Sequence, residues 1–272
     1  MKNKILIFGK GYIGSRIQEE LGCAVSERKI TSLKDALDEV RIHRPAVVIN
    51  CIGYTGSNVD DCEKAHGLTF CANTFVPLIL AEAAVRTKTR FVHLSSGCIY
   101  HFDYKRAVPI AEERTPDFFD LFYSRSKIYA EQAILPLAKK YPFLIVRPRI
   151  PLDDRPHPKN ILTKLIKYAK AIDVPNSITY LPDFIKALKH LIKIKATGIY
   201  NTVNAGALRY PELLDIYQRY NPDFKYKLVS FKALNLVRTN LILSTGKLRK
   251  SGFKLRDIHE VLEECVEKYT QY

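Results

Sequence analysis

Residues 4–8, Lys-Ile-Leu-Ile-Phe, run directly into Gly9-Lys-Gly-Tyr-Ile-Gly14 and then into a helix-like stretch at 15–21. Strand, glycine turn and helix in that order constrain the fold more than any other feature of the chain, because together they form the opening of a dinucleotide-binding unit. Gly9 permits the tight turn, Gly11 lets a pyrophosphate approach the backbone, and Gly14 lets the helix pack closely on the strand. Free N–H groups at the helix start then face the anion. Gly9, Gly11, Tyr12, Ile13 and Gly14 are the cofactor-binding positions expected here.

Apolar strand candidates recur at 22–26, 46–51, 90–95 and 143–147, separated by helix-length segments at 32–43, 69–87 and 123–141. Such alternation predicts an α/β, Rossmann-type doubly wound parallel sheet. Beyond Arg147 the pattern loosens at Pro148, Pro151, Pro156 and Pro158, with helices at 159–171, 210–220 and 258–269 and a strand at 198–203. The expected division is a dinucleotide-binding core over 1–147 and a smaller, mainly substrate-binding lobe over 148–272 that returns crossovers to the core sheet. A chain of 272 residues can bury a core of that size.

Ligands of open α/β sheets sit outside the carboxyl ends of the strands. The third strand ends in Cys51 and the small-residue loop Ile52-Gly-Tyr-Thr-Gly56, so Cys51 and Gly53 are expected beside the cofactor. The fourth ends at Ser96, placed to hydrogen-bond a substrate carbonyl. Tyr123-Ser-Arg-Ser-Lys127 puts a phenol and an ammonium one helical turn apart. That lysine can hold a cofactor ribose and lower the phenol pKa, and the phenol can protonate a carbonyl oxygen. After the second strand, Ser26, Arg28 and Lys29 outnumber the single acid Glu27, which suits a 2′-phosphate and so NADP(H).

A net charge of +15 attracts anions. The basic residues spread along helix-like segments at 159–170 and 186–195 without an aromatic-rich RNA-binding motif, so a dinucleotide and a nucleotide-linked substrate account for part of the charge and no nucleic-acid partner is expected. Six cysteines without CxxC spacing predict reduced thiols in a cytoplasm and no metal site. No apolar run of about 18 residues is apparent, so no membrane span is expected.

With these residues assembled, the chain resembles the extended short-chain dehydrogenase/reductase superfamily, in its dTDP-4-dehydrorhamnose reductase-like branch, nearest the plant nucleotide-rhamnose synthases. The segments that carry the likeness are Asn58-Val-Asp-Asp-Cys-Glu63, Ser96-Gly-Cys-Ile-Tyr100, Phe122-Tyr-Ser-Arg-Ser-Lys127, Arg147-Pro-Arg-Ile-Pro151, Pro158-Lys-Asn-Ile-Leu-Thr-Lys-Leu165, Val174-Pro-Asn-Ser-Ile-Thr179 and Ser244-Thr-Gly-Lys-Leu-Arg249. The resemblance implies 3,5-epimerisation and 4-reduction of a nucleotide-linked 4-keto-6-deoxyglucose, UDP-linked by preference, to nucleotide-L-rhamnose with NADPH. It implies Ser96, Tyr123 and Lys127 as the reductase set, and Cys98 and Lys164 as the acid and base of epimerisation, with His157 competing for the role of Lys164. Thr55, Asn58, Arg149 and Asn160 are the implied substrate contacts. Dehydration is left to a separate dehydratase, and a homodimer is the assembly considered. Two other readings stay open: a plain 4-keto-sugar reductase, and a non-enzymatic NADP-binding regulatory subunit.

Overall fold

Residues 4–272 are described in the structure, a computed structural model, so the first three residues of the expected 1–147 domain lie outside the described residues. The chain opens β1 (Ile5–Phe8), α1 (Tyr12–Leu21), β2 (Ala24–Ser26), α2 (Leu33–His43) and β3 (Val47–Asn50). It continues through α3 (Asp61–Lys64), α4 (His66–Phe70), a π-helical turn over Cys71–Phe75, α5 (Val76–Thr87), β4 (Arg90–Leu94), α6 (Phe122–Ile134) and β5 (Phe143–Arg147). Then come β6 (Pro151–Leu152), α7 (Ile161–Tyr168), β7 (Lys170–Ala171), β8 (Thr179–Tyr180), α8 (Leu181–Lys193) and β9 (Gly198–Asn201). The described chain closes with α9 (Tyr210–Tyr220), β10 (Lys227–Leu228), α10 (Gly246–Lys250) and α11 (Ile258–Tyr269).

The principal sheet has six strands in the order β2-β1-β3-β4-β5-β9. Strands β1 to β5 pair in parallel, and the registers Leu6↔Ala24, Leu6↔Val48, Val48↔Phe91 and Phe91↔Phe143 align one apolar row across all five. β1, β3, β4 and β5 are buried along their whole length, as parallel strands covered on both faces must be. This is the doubly wound α/β sheet that the alternation predicts. Its strand order reverses between β1 and β3, the switch point at which such sheets bind ligands.

The chain forms two compact units, each discontinuous in sequence. The first runs up to Ile99 and adds Phe118–Arg147 and Leu188–Tyr200; the second comprises Tyr100–Asp117, Pro148–Ala187 and Asn201–Tyr272. Two segments thus lie across the expected 147/148 division, one in each direction. In the first unit Leu6, Phe8, Val48, Phe91 and Phe143 pack with Val76, Leu80 and Ala84 of α5. In the second, Leu162 and Leu165 of α7 pack with Leu213 and Leu214 of α9 and with Val261, Leu262 and Val266 of α11.

Local chemistry explains where the elements depart from their expected bounds. The helix expected over 69–87 is broken into α4, the π turn and α5, because Asn73 and Thr74 in the turn direct their side chains to other elements. The one expected over 123–141 ends at Ile134, where Pro136 lacks an N–H and a 3₁₀ turn takes over Leu135–Lys139. The one expected over 159–171 starts only after Asn160, its N-cap, and stops at Ala169 in the left-handed region. The basic stretch 186–195 belongs largely to α8, whose Lys186, Lys189 and Lys193 are exposed while Phe184, Ala187, Leu188 and Leu191 are buried. Against expectation, His66–Thr87 form 22 helical residues long and apolar enough to cross a membrane by length and composition. Half of the apolar stretch is buried in the protein, its Leu80, Ala81, Ala83 and Ala84 in the core of the first unit, so that face already has a partner.

Candidate active site

The glycine turn between β1 and α1 is shaped by close approach. Gly9 sits at φ +101°, and a Cβ there would lie 2.6 Å from the Ile52 nitrogen. A Cβ on Gly14 would lie 2.0 Å from the Gly9 carbonyl oxygen and 3.2 Å from the Cys51 Cβ. Gly11 differs: it precedes Tyr12 and Ile13 as the N-cap of α1, and a Cβ on it would meet nothing within 4 Å. The protein's own packing demands Gly9 and Gly14, whereas bare backbone at Gly11 leaves room for a phosphate against the helix start. From here a cleft of about 450 Å³ runs past Gly9, Lys10, Ser26, Arg28, Lys29 and Ile52 to Cys71 and Val76.

At the end of β2, Ser26 and Arg28 both line this cleft, already engaged. Ser26 Oγ donates to Glu39 Oε2 at 2.7 Å and accepts from Arg28 N at 3.3 Å. The Arg28 guanidinium lies 2.9 Å from Asp35 Oδ1 and 3.5 Å from Asp38 Oδ2.

The residues expected to form the reductase set lie after β4, where Ser96 sits, and on α6, which carries Tyr123 and Lys127. Ser96 is buried and its Oγ accepts from Cys98 N at 3.1 Å, which leaves the hydroxyl its own proton to donate. Ser124 Oγ donates to the Cys98 carbonyl at 2.7 Å, tying the loop that carries Ser96 and Cys98 to the first turn of α6. The Cys98 side chain is half-buried. Tyr123, also half-buried, is the second residue of that turn, and its carbonyl accepts from Ser126 Oγ at 2.7 Å. Lys127 is 4% exposed, and its Nζ donates to the Leu94 carbonyl at 3.2 Å. Burial pushes the Lys127 ammonium down to about 8 from 10.5, against the opposing pull of the Glu131 carboxylate and, more weakly, of Cys51 and Cys62. Burial also holds Cys51 up as a thiol and His93 as a neutral imidazole.

Several residues that the sequence did not single out hold this set in place. Asn73, in the π turn, accepts from Tyr54 N at 2.7 Å through Oδ1; its amide donates to the Tyr54 carbonyl and to Ser126 Oγ, both at 3.0 Å. It fastens the loop after β3 to α6. A Cβ on Gly53 would stand 3.3 Å from both Asn73 Oδ1 and Lys127 Nζ, so any side chain there would crowd both groups. Glu63 Oε1 accepts from Phe122 N at 2.5 Å and caps the helix that presents Tyr123. Arg147 grips Glu131 through Nε at 2.8 and 3.1 Å, both partners buried, one turn beyond Lys127. Asn50 bridges His93 Nδ1 at 3.1 Å and Ile52 N at 3.0 Å, bracing the end of β3. Only the unusual insertion of a polar Asn-Thr pair in an apolar helix could have flagged Asn73 beforehand.

The remaining expected residues make mostly local bonds. Thr55 Oγ1 donates to Gly56 O at 3.4 Å, and Asn58 Oδ1 accepts from Asp60 N at 2.8 Å. Lys164, His157, Arg149 and Asn160 belong to the second unit. There Asn160 caps α7 by accepting from Leu162 N at 3.1 Å, and its amide donates to the Asp153 and Arg155 carbonyls at 2.8 and 2.9 Å. Arg149, 2% exposed, donates to Asn176 Oδ1 at 2.7 Å and to Thr239 Oγ1 at 3.0 Å. Burial, then the neighbouring Lys159 and Arg238 charges, lowers the Lys164 ammonium. His157 is lowered by burial and by Lys159 and Lys164, and its Nδ1 accepts from Lys159 N at 3.0 Å.

Known proteins resemble this chain along most of its length. The bifunctional dTDP-4-dehydrorhamnose 3,5-epimerase/dTDP-4-dehydrorhamnose reductase of Arabidopsis thaliana is 30% identical over 279 residues, 96% of this chain and 91% of that protein. A trifunctional UDP-glucose 4,6-dehydratase/UDP-4-keto-6-deoxy-D-glucose 3,5-epimerase/UDP-4-keto-L-rhamnose-reductase of the same plant is 31% identical over 277 residues. That match takes in 95% of this chain, which spans only 41% of the trifunctional protein. Among solved structures, the UDP-rhamnose synthase of Acanthamoeba polyphaga mimivirus superposes with a TM-score of 0.88 at 26% identity, covering 97% of this chain and 99% of that one. The dTDP-4-dehydrorhamnose reductase of Bacillus anthracis, solved with NADP, shares the fold at a TM-score of 0.84 and 23% identity, over 100% of this chain and 99% of that one. The RmlD substrate binding domain family matches residues 3–178. With nearly two thirds of its length matched in this way, the chain belongs to the RmlD substrate binding domain family.

Proposed function

We propose that this protein is an NADPH-dependent nucleotide-sugar enzyme that 3,5-epimerises and then 4-reduces a UDP-linked 4-keto-6-deoxyglucose to UDP-L-rhamnose. The observation that carries the reading is the buried Lys127 ammonium one turn from Tyr123 on a helix tied, through Ser124 and the Cys98 carbonyl, to the loop whose Ser96 hydroxyl keeps its proton. NADP(H) supplies the hydride when bound, and the open backbone at Gly11 and the adjoining cleft fit such a dinucleotide. Ser96 donates to the 4-keto oxygen and orients it. Tyr123 gives its phenolic proton to the same oxygen, and the neighbouring Lys127 charge eases that transfer. With one donor spent on the Leu94 carbonyl, Lys127 keeps two for ribose hydroxyls.

Epimerisation needs a proton taken from one face and returned on the other. Cys98 is assigned one face and Lys164 the other; burial and the neighbouring Lys159 and Arg238 charges make the Lys164 ammonium readier to give up its proton. Thr55, Asn58, Arg149 and Asn160 are assigned to substrate binding or, on the bonds just described, to holding the segments that bind it. The relatives named as bifunctional or trifunctional epimerase/reductases support both chemistries, and the plant names with UDP support the carrier. The reading also includes a separate 4,6-dehydratase upstream, a homodimer, and a cytoplasmic setting suited to six free thiols. Incubating the purified chain with UDP-4-keto-6-deoxyglucose and NADPH tests it: UDP-L-rhamnose is the expected product. A 4-reduced but unepimerised sugar would leave a plain reductase, and no NADPH consumption would remove the enzyme assignment.

A further inference from the structure

At the end of β2 the cleft wall is made by Ser26, Glu27, Arg28, Lys29 and Ile30, the position that receives the adenosine ribose if a dinucleotide binds as proposed above. Ser26 is 6% exposed and its hydroxyl has one proton and two lone pairs. The proton goes to Glu39 Oε2 at 2.7 Å, and one lone pair takes the Arg28 backbone N–H at 3.3 Å. What remains is an acceptor. A ribose 2′-hydroxyl can donate to it, whereas the phosphate of NADPH presents acceptor oxygens and finds no donor there. The cation of the same wall is likewise part-compensated, since Asp35 and Asp38 hold the Arg28 guanidinium at 2.9 and 3.5 Å. Glu39 itself is 12% exposed, and His43 Nε2 lies 3.7 Å from the same Oε2 that accepts from Ser26.

We infer that Glu39 is a specificity-determining residue that acts through Ser26: by holding the hydroxyl proton it turns an acceptor to the cleft and weakens the preference for a 2′-phosphate over a 2′-hydroxyl. The inference rests on the dinucleotide reading of the cleft. Lys29 and the remaining N–H groups of Arg28 still favour the phosphate, so Glu39 sets how large the preference is.

The test is the dissociation constant of NADPH and of NADH, each measured by fluorescence titration on the full chain. In Glu39→Gln the amide can donate to Ser26 Oγ and release the hydroxyl proton towards the phosphate. The NADPH:NADH affinity ratio should then rise roughly fivefold with NADH binding unchanged, the worth of about one hydrogen bond. In a Ser26→Ala background the same substitution should leave the ratio where it is. An unmoved ratio in Glu39→Gln, a parallel weakening of both dinucleotides, or the same gain in the Ser26→Ala background each overturns the inference. A parent chain that binds neither dinucleotide overturns the oxidoreductase reading and this inference with it, which tells the two failures apart.

Discussion

Replacing Lys127 with methionine should yield a protein that is more stable and does not reduce its substrate. The side chain is 4% exposed, and burial takes its pKa from 10.5 to about 8. At about 1.4 kcal/mol per tenfold in the protonation equilibrium, holding that charge inside costs about 3 kcal/mol at neutral pH. Methionine keeps the length and apolar stem and removes the charge, while losing the hydrogen bond to the Leu94 carbonyl, worth about 1 kcal/mol. The net gain of about 2 kcal/mol corresponds to roughly 4–8 °C in melting temperature for a chain of this size. The sign with pH follows from the lowered pKa. The cost is fully present below about 8 and disappears as pH rises towards 10.5, where the unfolded chain also loses the proton. Melting of parent and variant across pH 7 to 10.5 therefore checks it, with the gap closing at the alkaline end. A variant that melts below the parent, or a gap that ignores pH, would refute the reasoning that Lys127 is a destabilised charge kept for function.

Tyr123→Phe should bind NADPH as the parent does yet reduce a 4-keto sugar slower by roughly a hundredfold or more, since only the phenolic proton is lost; stopped-flow NADPH oxidation at the parent rate would dismiss Tyr123. Gly14→Ala should lower the melting temperature, because its Cβ would lie 2.0 Å from the Gly9 carbonyl oxygen, whereas Gly11→Ala, with nothing within 4 Å, should melt like the parent and bind NADPH weakly. Cys98→Ser replaces the thiol with a group of similar size and much higher pKa, so deuterium uptake from heavy water beside the ketone should collapse while an already epimerised 4-keto sugar is still reduced. Undiminished uptake would move that proton transfer to another residue.

The sequence carried the parts of this protein that depend on near neighbours. A strand, three glycines and a helix within about 18 residues fix the nucleotide turn, because the strain and close approach at Gly9 and Gly14 arise over a few bonds. Alternating apolar segments fix the parallel sheet, since only strands buried on both faces read as continuous runs. Tyr123 and Lys127 are legible because four residues make one helical turn. What holds these residues in position was decided in three dimensions. Asn73 meets Ser126 across 53 positions and Arg147 meets Glu131 from the next strand. Glu39 reaches Ser26 from the middle of α2. Nothing in sequence spacing marks such pairs, since each exists only once helices have packed on the sheet. Nor could the chain alone reveal that Lys127 is buried enough to sit near 8, because desolvation is set by everything the fold brings around the ammonium.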